Sequence, residues 1–170
     1  MKAIKSTLLA LLLILAATMV RAQTPSVNTS FNSMITAYID LKNALVADDG
    51  ADAQIKAKIL NNKISGVPAE DMSVGQLGVW RGYADKLSFD SRHMSETNAI
   101  DHQREHFASL SKNMYAIIRA FNVNSTVIYW QYCPMKKSSW LSETATIKNP
   151  YYGKEMPDCG STKATLKAVN

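Results

Sequence analysis

The sequence is poor in cysteine, glycine and proline, and it contains no block of like charge. Its 170 residues include 2 cysteines, 7 glycines and 5 prolines, and 46% of the residues are hydrophobic. This composition excludes collagen-like and low-complexity chains, and the length suits one domain. Without a basic stripe, nothing indicates nucleic-acid binding. Neither a nucleophile elbow nor a glycine-rich phosphate loop occurs, so we do not expect an enzyme.

The chain also lacks an apolar run long enough to cross a bilayer. The longest run, Leu8–Val20, has about 13 residues, against the ~20 that a span requires. Two lysines precede it and Ala22 follows it, which is typical of a secretory signal peptide cleaved between Ala22 and Gln23. We therefore expect residues 1–22 to be removed and the mature protein to be periplasmic, with no membrane span. Cleavage removes three of the 19 basic residues, so the net charge falls from +5 to +2.

Apolar residues at helical spacing predict the fold of the first two thirds of the mature chain. Residues 23–30 are polar, and we expect a flexible N-terminus followed by a single domain over residues 31–170. The four predicted helices begin near Phe31, near Ile55, at Ser73 and after an N-cap at Ser95. Because the connections between them are short, the expected fold class is mainly α, an antiparallel four-helix bundle over residues 31–122.

A different pattern begins after the fourth helix. Residues 127–132 are β-branched and aromatic, which predicts a strand, and turn-forming residues recur from Cys133 onward. We expect residues 126–162 to form an irregular, short-strand appendage on the bundle, and residues 163–170 to form a short helical tail. Aromatic residues are concentrated in the appendage, where we interpret them as a small core: Tyr129, Trp130, Tyr132, Trp140, Tyr151 and Tyr152.

Both cysteines lie in this appendage, each beside a methionine and a proline. Pro134 favours an extended backbone at Cys133, so the sulfurs of Cys133 and Met135 can face one point. Met156 and Cys159 are three residues apart across a turn that brings their side chains together. Two thiolates and two thioethers form a soft ligand set that selects Cu(I) or Ag(I). These four residues are a candidate copper site.

A disulfide between the two cysteines is the main alternative. An exported protein meets an oxidising compartment, and the bond would close a loop of about 26 residues, worth roughly 3–4 kcal/mol on the chain-entropy model. The methionines would then be ordinary core filler. Two unpaired structural cysteines also fit the sequence, as does a redox-dependent site that is a disulfide when empty and binds metal when reduced.

A pair of histidines at i, i+4 spacing is the second candidate metal site. His102 and His106 share one face of the fourth predicted helix, where they can hold a metal ion between them. The HExxH pattern is absent, so further ligands are needed. Sulfur from the appendage can supply them if it folds onto this helix, and His93 and Met94 can extend the site. The alternative is a solvated polar shoulder, with His106 at the edge of the apolar stripe and His102 in water.

Several short motifs of the second half occur together. They are Gln103-Arg104-Glu105-His106-Phe107, Tyr132-Cys133-Pro134-Met135, Trp140-Leu141-Ser142, Ile147-Lys148-Asn149-Pro150-Tyr151-Tyr152-Gly153, and Met156 with Cys159-Gly160. In this combination the chain resembles an uncharacterised exported domain-of-unknown-function family of Gram-negative bacteria. That family occurs alone or appended to periplasmic adaptor subunits of copper/silver or cobalt/zinc/cadmium efflux systems. The resemblance implies a periplasmic, heavy-metal context and assigns no residue a role.

A fainter resemblance links the appendage to a small heavy-metal-binding module with a Cys-Pro-Met segment and a later Cys-Pro-x-Cys-Gly segment. Here Met156 stands in place of the first late cysteine, and Ser161 replaces the methionine that follows Cys-Gly. The expected function is therefore a soft-metal-binding accessory protein. It would sequester Cu(I) or Ag(I), or deliver the ion to an efflux adaptor or another envelope protein. The alternative is a non-metal, disulfide-stapled envelope module that docks through its aromatic appendage.

Overall fold

A computed structural model describes residues 26–169 as four helices followed by a small sheet. The elements are α1 (Val27–Val46), α2 (Gly50–Ser65), a single 3-10 turn (Ala69–Asp71), α3 (Val74–Ser95), α4 (Ile100–Phe121), β1 (Ile128–Cys133), β2 (Ser138–Ser142) and β3 (Ser161–Leu166). Consecutive helices pack against each other, which confirms the predicted four-helix, mainly α fold class. The predicted signal peptide and its cleavage point lie outside the described residues.

The first two helices differ from expectation in their start and in their buried face. α1 begins at Val27, where the Ser26 side chain caps the helix, so residues 27–30, predicted to be flexible, form its first turn. In α2 the buried residues are Ala53, Ala57, Leu60 and Ile64, whereas Ile55 is 58% exposed. The alanines lie at the same helical spacing as Leu60, and their small side chains let neighbouring helices approach closely.

The boundary between α3 and α4 also differs from the prediction. α3 starts where predicted, with a capping box between Ser73 and Gln76. It continues through Ser95, whose hydroxyl donates to the carbonyl of Arg92 in the last turn. Ser95 therefore ends α3 and does not cap α4. α4 ends at Asn122, which adopts the left-handed conformation typical of a helix C-terminus.

The appendage contains a three-stranded antiparallel sheet in the order β2-β1-β3. β1 pairs with β2 through a tight connection and with β3 along its other edge. Residues 161–166, which we predicted to lie partly in a helical tail, form β3 because β1 offers them an unpaired edge. Long-range pairing thus overrides the local helical preference of the tail.

Buried contacts join the appendage to the bundle. The Tyr38 hydroxyl of α1 lies 2.6 Å from the Ser111 hydroxyl of α4 and accepts the backbone N–H of Leu141 in β2. The rings of Phe107 and Tyr151 pack at a centroid distance of 5.8 Å. Bundle and appendage therefore share one core.

Two ion pairs also join the bundle to the appendage. Arg104 of α4 binds Asp48, just after α1, and donates to the carbonyl of Pro150 in the appendage. Gly153 has φ +49°, and a Cβ there would overlap the Asp48 carboxylate, so this turn requires glycine. Lys42 is buried in α1, and its Nζ lies 2.7 Å from the Glu143 carboxylate. The Lys42–Glu143 pair joins α1 directly to the chain beyond residue 140. The Arg104–Asp48 pair does so through the Pro150 carbonyl, which Arg104 also binds.

None of the helices between residues 26 and 169 is both long enough and apolar enough to pass through a lipid bilayer.

Candidate metal centre

Three histidines from two helices meet on the surface of the bundle. His102 and His106 lie one turn apart in α4, and His93 lies in the last turn of α3. The ligating nitrogens of the three side chains all lie within 4.8 Å of one another. A tetrahedral ion with metal–nitrogen bonds of 2.0–2.1 Å holds two such nitrogens about 3.3 Å apart. Small side-chain rotations therefore suffice to bring all three onto one ion.

A buried carboxylate orients the central histidine. Asp90 of α3 is 4% exposed, and its Oδ1 lies 3.0 Å from Nδ1 of His106. A carboxylate that accepts Nδ1–H leaves Nε2 with a free lone pair for a metal ion and fixes the direction of the ring. This carboxylate–imidazole pair is the arrangement that metal-ligating histidines commonly show.

The exposure of the three imidazoles decreases from the rim of the cluster towards its centre. The His102 side chain is 47% exposed and lies 3.9 Å from the Glu105 carboxylate, whereas the His106 side chain is 18% exposed. The two rings meet edge to face at a centroid distance of 4.8 Å. The Phe89 ring packs on His93 at a centroid distance of 4.3 Å and on His106 at 5.8 Å. The cluster thus has an apolar wall on the α3 side and an open side at His102, from which an ion can enter.

The third imidazole comes from α3 and not from the appendage. Sequence analysis singled out His102 and His106 and offered His93 as an extension, and the structure brings these three together. Met94, offered with His93, is fully buried in the core. In the part of the chain that the structure describes, no cysteine belongs to this three-histidine group.

Sequence reasoning missed Asp90, although a signal for it was present. Asp90 and His93 are three residues apart in the same helix, so they share a face. A search for acidic residues at this spacing from His93 yields both Asp90 and Glu96. The pairing with His106 follows only once α3 is packed against α4.

The two cysteines also meet, in the appendage. Sγ of Cys133 and Sγ of Cys159 are 3.9 Å apart and are not bonded to each other. Cys133 is buried at the end of β1, whereas Cys159 is half-buried. Burial and the adjacent Cys133 thiol raise the pKa of the Cys159 thiol. The convergence that the motifs predicted for the cysteine sulfurs is therefore present.

The two methionines lie near this cysteine pair along the chain. The carbonyl of Met156 accepts the backbone N–H of Cys159 at 3.4 Å, and Met135 lies two residues after Cys133. The Met135 side chain lies in the β1–β2 turn and is 63% exposed. Each methionine thus lies within three residues of a cysteine, and the Met135 side chain is open to solvent.

Much of the aromatic cluster of the appendage is internal. Trp140 is fully buried, Tyr151 is 4% exposed, and their rings meet edge to face at a centroid distance of 6.0 Å. Trp130 is half-buried and stacks on Tyr115 of α4 at 4.2 Å. These three rings attach the sheet to the bundle, in accord with their interpretation as a small core.

Fold and site together define a class of protein: a four-helix domain with a C-terminal sheet and a histidine cluster able to hold a metal ion. The chain belongs to a family described as "Protein of unknown function (DUF3347)", which matches residues 34–126. This match covers more than half of the chain, includes all three histidines and ends before both cysteines. The predicted membership of an uncharacterised family is thereby confirmed. No curated protein and no solved structure matches the chain.

Proposed function

We propose that this protein is a metal-binding accessory protein of the periplasm that sequesters copper or silver ions or delivers them to a heavy-metal efflux system. The observation that carries the proposal is the cluster of three imidazole nitrogens within 4.8 Å, backed by a buried carboxylate. Three neutral imidazoles with an open position form a transition-metal site rather than a site for hard cations.

Two features favour copper among the metals that imidazole binds. Imidazole suits zinc, copper, iron and nickel, and copper stands highest in affinity among the divalent ions. The chain also brings two cysteine sulfurs together in its appendage, and thiolates select the reduced ion. A protein that binds copper in both oxidation states uses imidazole ligands for Cu(II) and sulfur ligands for Cu(I).

The proposed location and partner rest on the sequence. The apolar run behind two lysines supports export, and the motif set of the second half resembles domains attached to efflux adaptors. We propose an efflux adaptor or another envelope protein as the partner that receives the ion. An open histidine cluster suits such a transfer because His102 stays accessible to a competing ligand.

Titration of the mature chain, residues 23–170, tests the histidine site. Cu(II) is added in calorimetry to the wild type and to H93A, H102A and H106A, with K112A as the matched control because Lys112 is an exposed residue of the same helix. We expect one ion per chain in the wild type and in K112A, and greatly weakened binding in each histidine variant. Equal affinity in all five proteins would rule the site out.

Failure of this titration would remove the histidine site from the proposal and favour the alternative function, an envelope interaction module. In that case the histidines and Asp90 form a structural surface cluster, and pull-down of an envelope partner becomes the relevant measurement. Pull-down by a variant at the half-buried Trp130 would show whether the appendage is the docking surface.

A further inference from the structure

The two cysteines differ from a pair of core thiols because only one of them is fully buried. Cys133 ends β1, and the residue that follows Cys159 leads directly into β3. Tyr132 pairs with Ser161 in the sheet, so the two cysteines lie just past the last rung of this antiparallel pair. Cys133 lies inside the protein while Cys159 remains half-exposed. One sulfur is thus shielded and the other can be reached from solvent.

The β1–β2 turn holds Cys133 from one side. The backbone N–H of Lys136 donates to Sγ of Cys133 at 3.4 Å, and Sγ of Cys133 lies 3.9 Å from Sγ of Cys159. The turn therefore helps to fix the position of the buried sulfur beside its partner.

The loop that carries Cys159 is held rigidly in place. The buried Asn149 side chain donates to the carbonyl of Cys159 at 2.7 Å, and the Asn149 N–H donates to the carbonyl of Pro157 at 2.8 Å. A Cβ at Gly160 would lie 2.8 Å from Cη2 of Trp140, so glycine is needed for the chain to pass this close. The position of the Cys159 sulfur is thus fixed by the fold.

The separation of the sulfurs suits a bridging metal ion. Two sulfurs that bind one tetrahedral ion at about 2.3 Å each are ~3.8 Å apart, and the observed distance is 3.9 Å. A disulfide would require them to approach to ~2.05 Å. Ligation of a metal therefore needs less movement than oxidation does.

We propose that Cys133 and Cys159, completed by the thioethers of Met135 and Met156, form a second metal site that is specific for a soft monovalent ion, Cu(I) or Ag(I). The carbonyl of Met156 already accepts the N–H of Cys159, and Met135 lies two residues after Cys133. The unbranched methionine side chain adapts easily to a ligand. The inference rests on the proposed function for its metal-handling context, but its ligands are independent of the three histidines.

Anaerobic titration of the reduced mature chain with Cu(I) and with Ag(I), in competition with a chromogenic chelator, tests the second site. C159S is the main variant because Cys159 is half-exposed and its replacement leaves the core intact. C133S/C159S, M135L and M156L complete the set, and circular dichroism verifies folding. The control is H93A/H102A/H106A, which removes the first site only.

The expected result separates the two sites. The triple-histidine variant should keep one tightly held Cu(I) or Ag(I) and its ultraviolet thiolate-to-metal absorption. C159S and C133S/C159S should lose both while still binding Cu(II), and each methionine variant should release the ion to a weaker chelator. Full Cu(I) uptake by C159S would overturn the inference. A Cys133–Cys159 disulfide that forms on export and resists mild reductant would overturn it as well, and neither result would affect the histidine site.

Discussion

Asp90 is the residue that orients the histidine cluster, through its contact with His106. Its carboxylate binds Nδ1 of His106 and is buried, so it selects the tautomer that points Nε2 outward. A carboxylate in this position is expensive to bury unless it has a partner. The Asp90–His106 pair is therefore explained both by packing and by metal binding, and substitution distinguishes the two roles.

D90N should weaken Cu(II) binding by roughly 10- to 100-fold, because an amide holds the imidazole less firmly and lowers its basicity. Isothermal titration of D90N and wild type at one pH measures the effect. D85N is the control, since Asp85 is an exposed acid of the same helix. If D90N were merely destabilised but bound Cu(II) with unchanged affinity, the carboxylate would have only a structural role.

Asp48 and Glu143 make the stability of the protein depend on pH. The backbone N–H of Lys154, together with Arg104, lowers the pKa of Asp48. Burial is the largest single influence on Glu143 and acts to raise its pKa. The hydrogen bond and charge of Lys42, the backbone N–H of Glu143 and the Asn43 amide together outweigh burial, so the pKa is lowered. A carboxylate with a lowered pKa in the folded state stabilises the protein above its unfolded pKa, about 4, and this contribution is lost as the pH falls.

We therefore expect the melting temperature to be nearly constant above about pH 5 and to fall below about pH 4. D48N should be less stable than wild type at neutral pH and should lose less stability on acidification. Asparagine suits this test because it tolerates the φ of 60° at position 48. Thermal unfolding monitored by circular dichroism from pH 7 to pH 3 gives the comparison. Parallel curves for the two proteins would contradict the assignment.

Among the helices, α3 is made less stable by three glycines that no packing contact requires. A Cβ added at Gly75, Gly78 or Gly82 would meet no atom within 4 Å. These positions thus face open space, and no close helix contact requires glycine there. In an exposed helix interior, glycine is about 1 kcal/mol less favourable than alanine.

G78A should accordingly raise the free energy of unfolding by up to about 1 kcal/mol, as measured by urea denaturation. G160A provides the opposite case, because its Cβ would press on Trp140, and we expect it to destabilise the protein. A loss of stability in G78A would show that the exposed face of α3 is covered in solution.

Sequence periodicity predicted the existence of the four helices, because each buries one face at helical spacing, and β-branched and aromatic composition predicted the first strand. It failed where long-range contacts decide. Ile55 follows the apolar pattern yet is exposed, since the alanine face of α2 packs instead. Residues 161–166 form β3 only because the edge of β1 is unpaired. Within the sites, spacing predicted His102 with His106, but the contribution of Asp90 depends on how α3 and α4 pack.

At the level of the whole molecule, one core extends from the bundle into the sheet, so binding at either site should stabilise the entire domain. A ligand present at 100 times its dissociation constant adds about 2.7 kcal/mol to the free energy of unfolding. For a domain of this size that corresponds to a rise in melting temperature of roughly 5–10 °C.

Saturating Cu(II) should produce this rise in the wild type and in C159S, and only a small change in H106A. Differential scanning fluorimetry with and without a chelator provides the measurement. Zn(II) serves as a redox-inert comparison for the same ligands. A similar rise in H106A would place the bound ion elsewhere on the protein.

The position of His93 in the last turn of α3 has a mechanical consequence. α3 and α4 form a hairpin, and the connection between them, residues 96–99, is only four residues long. An ion bound by His93 of α3 and by the two histidines of α4 would cross-link the helices beside this connection. Fraying of that single terminal turn is enough to withdraw one of the three imidazoles. Loss of that one turn would loosen a metal ion bound at the three histidines and leave the remainder of the fold intact.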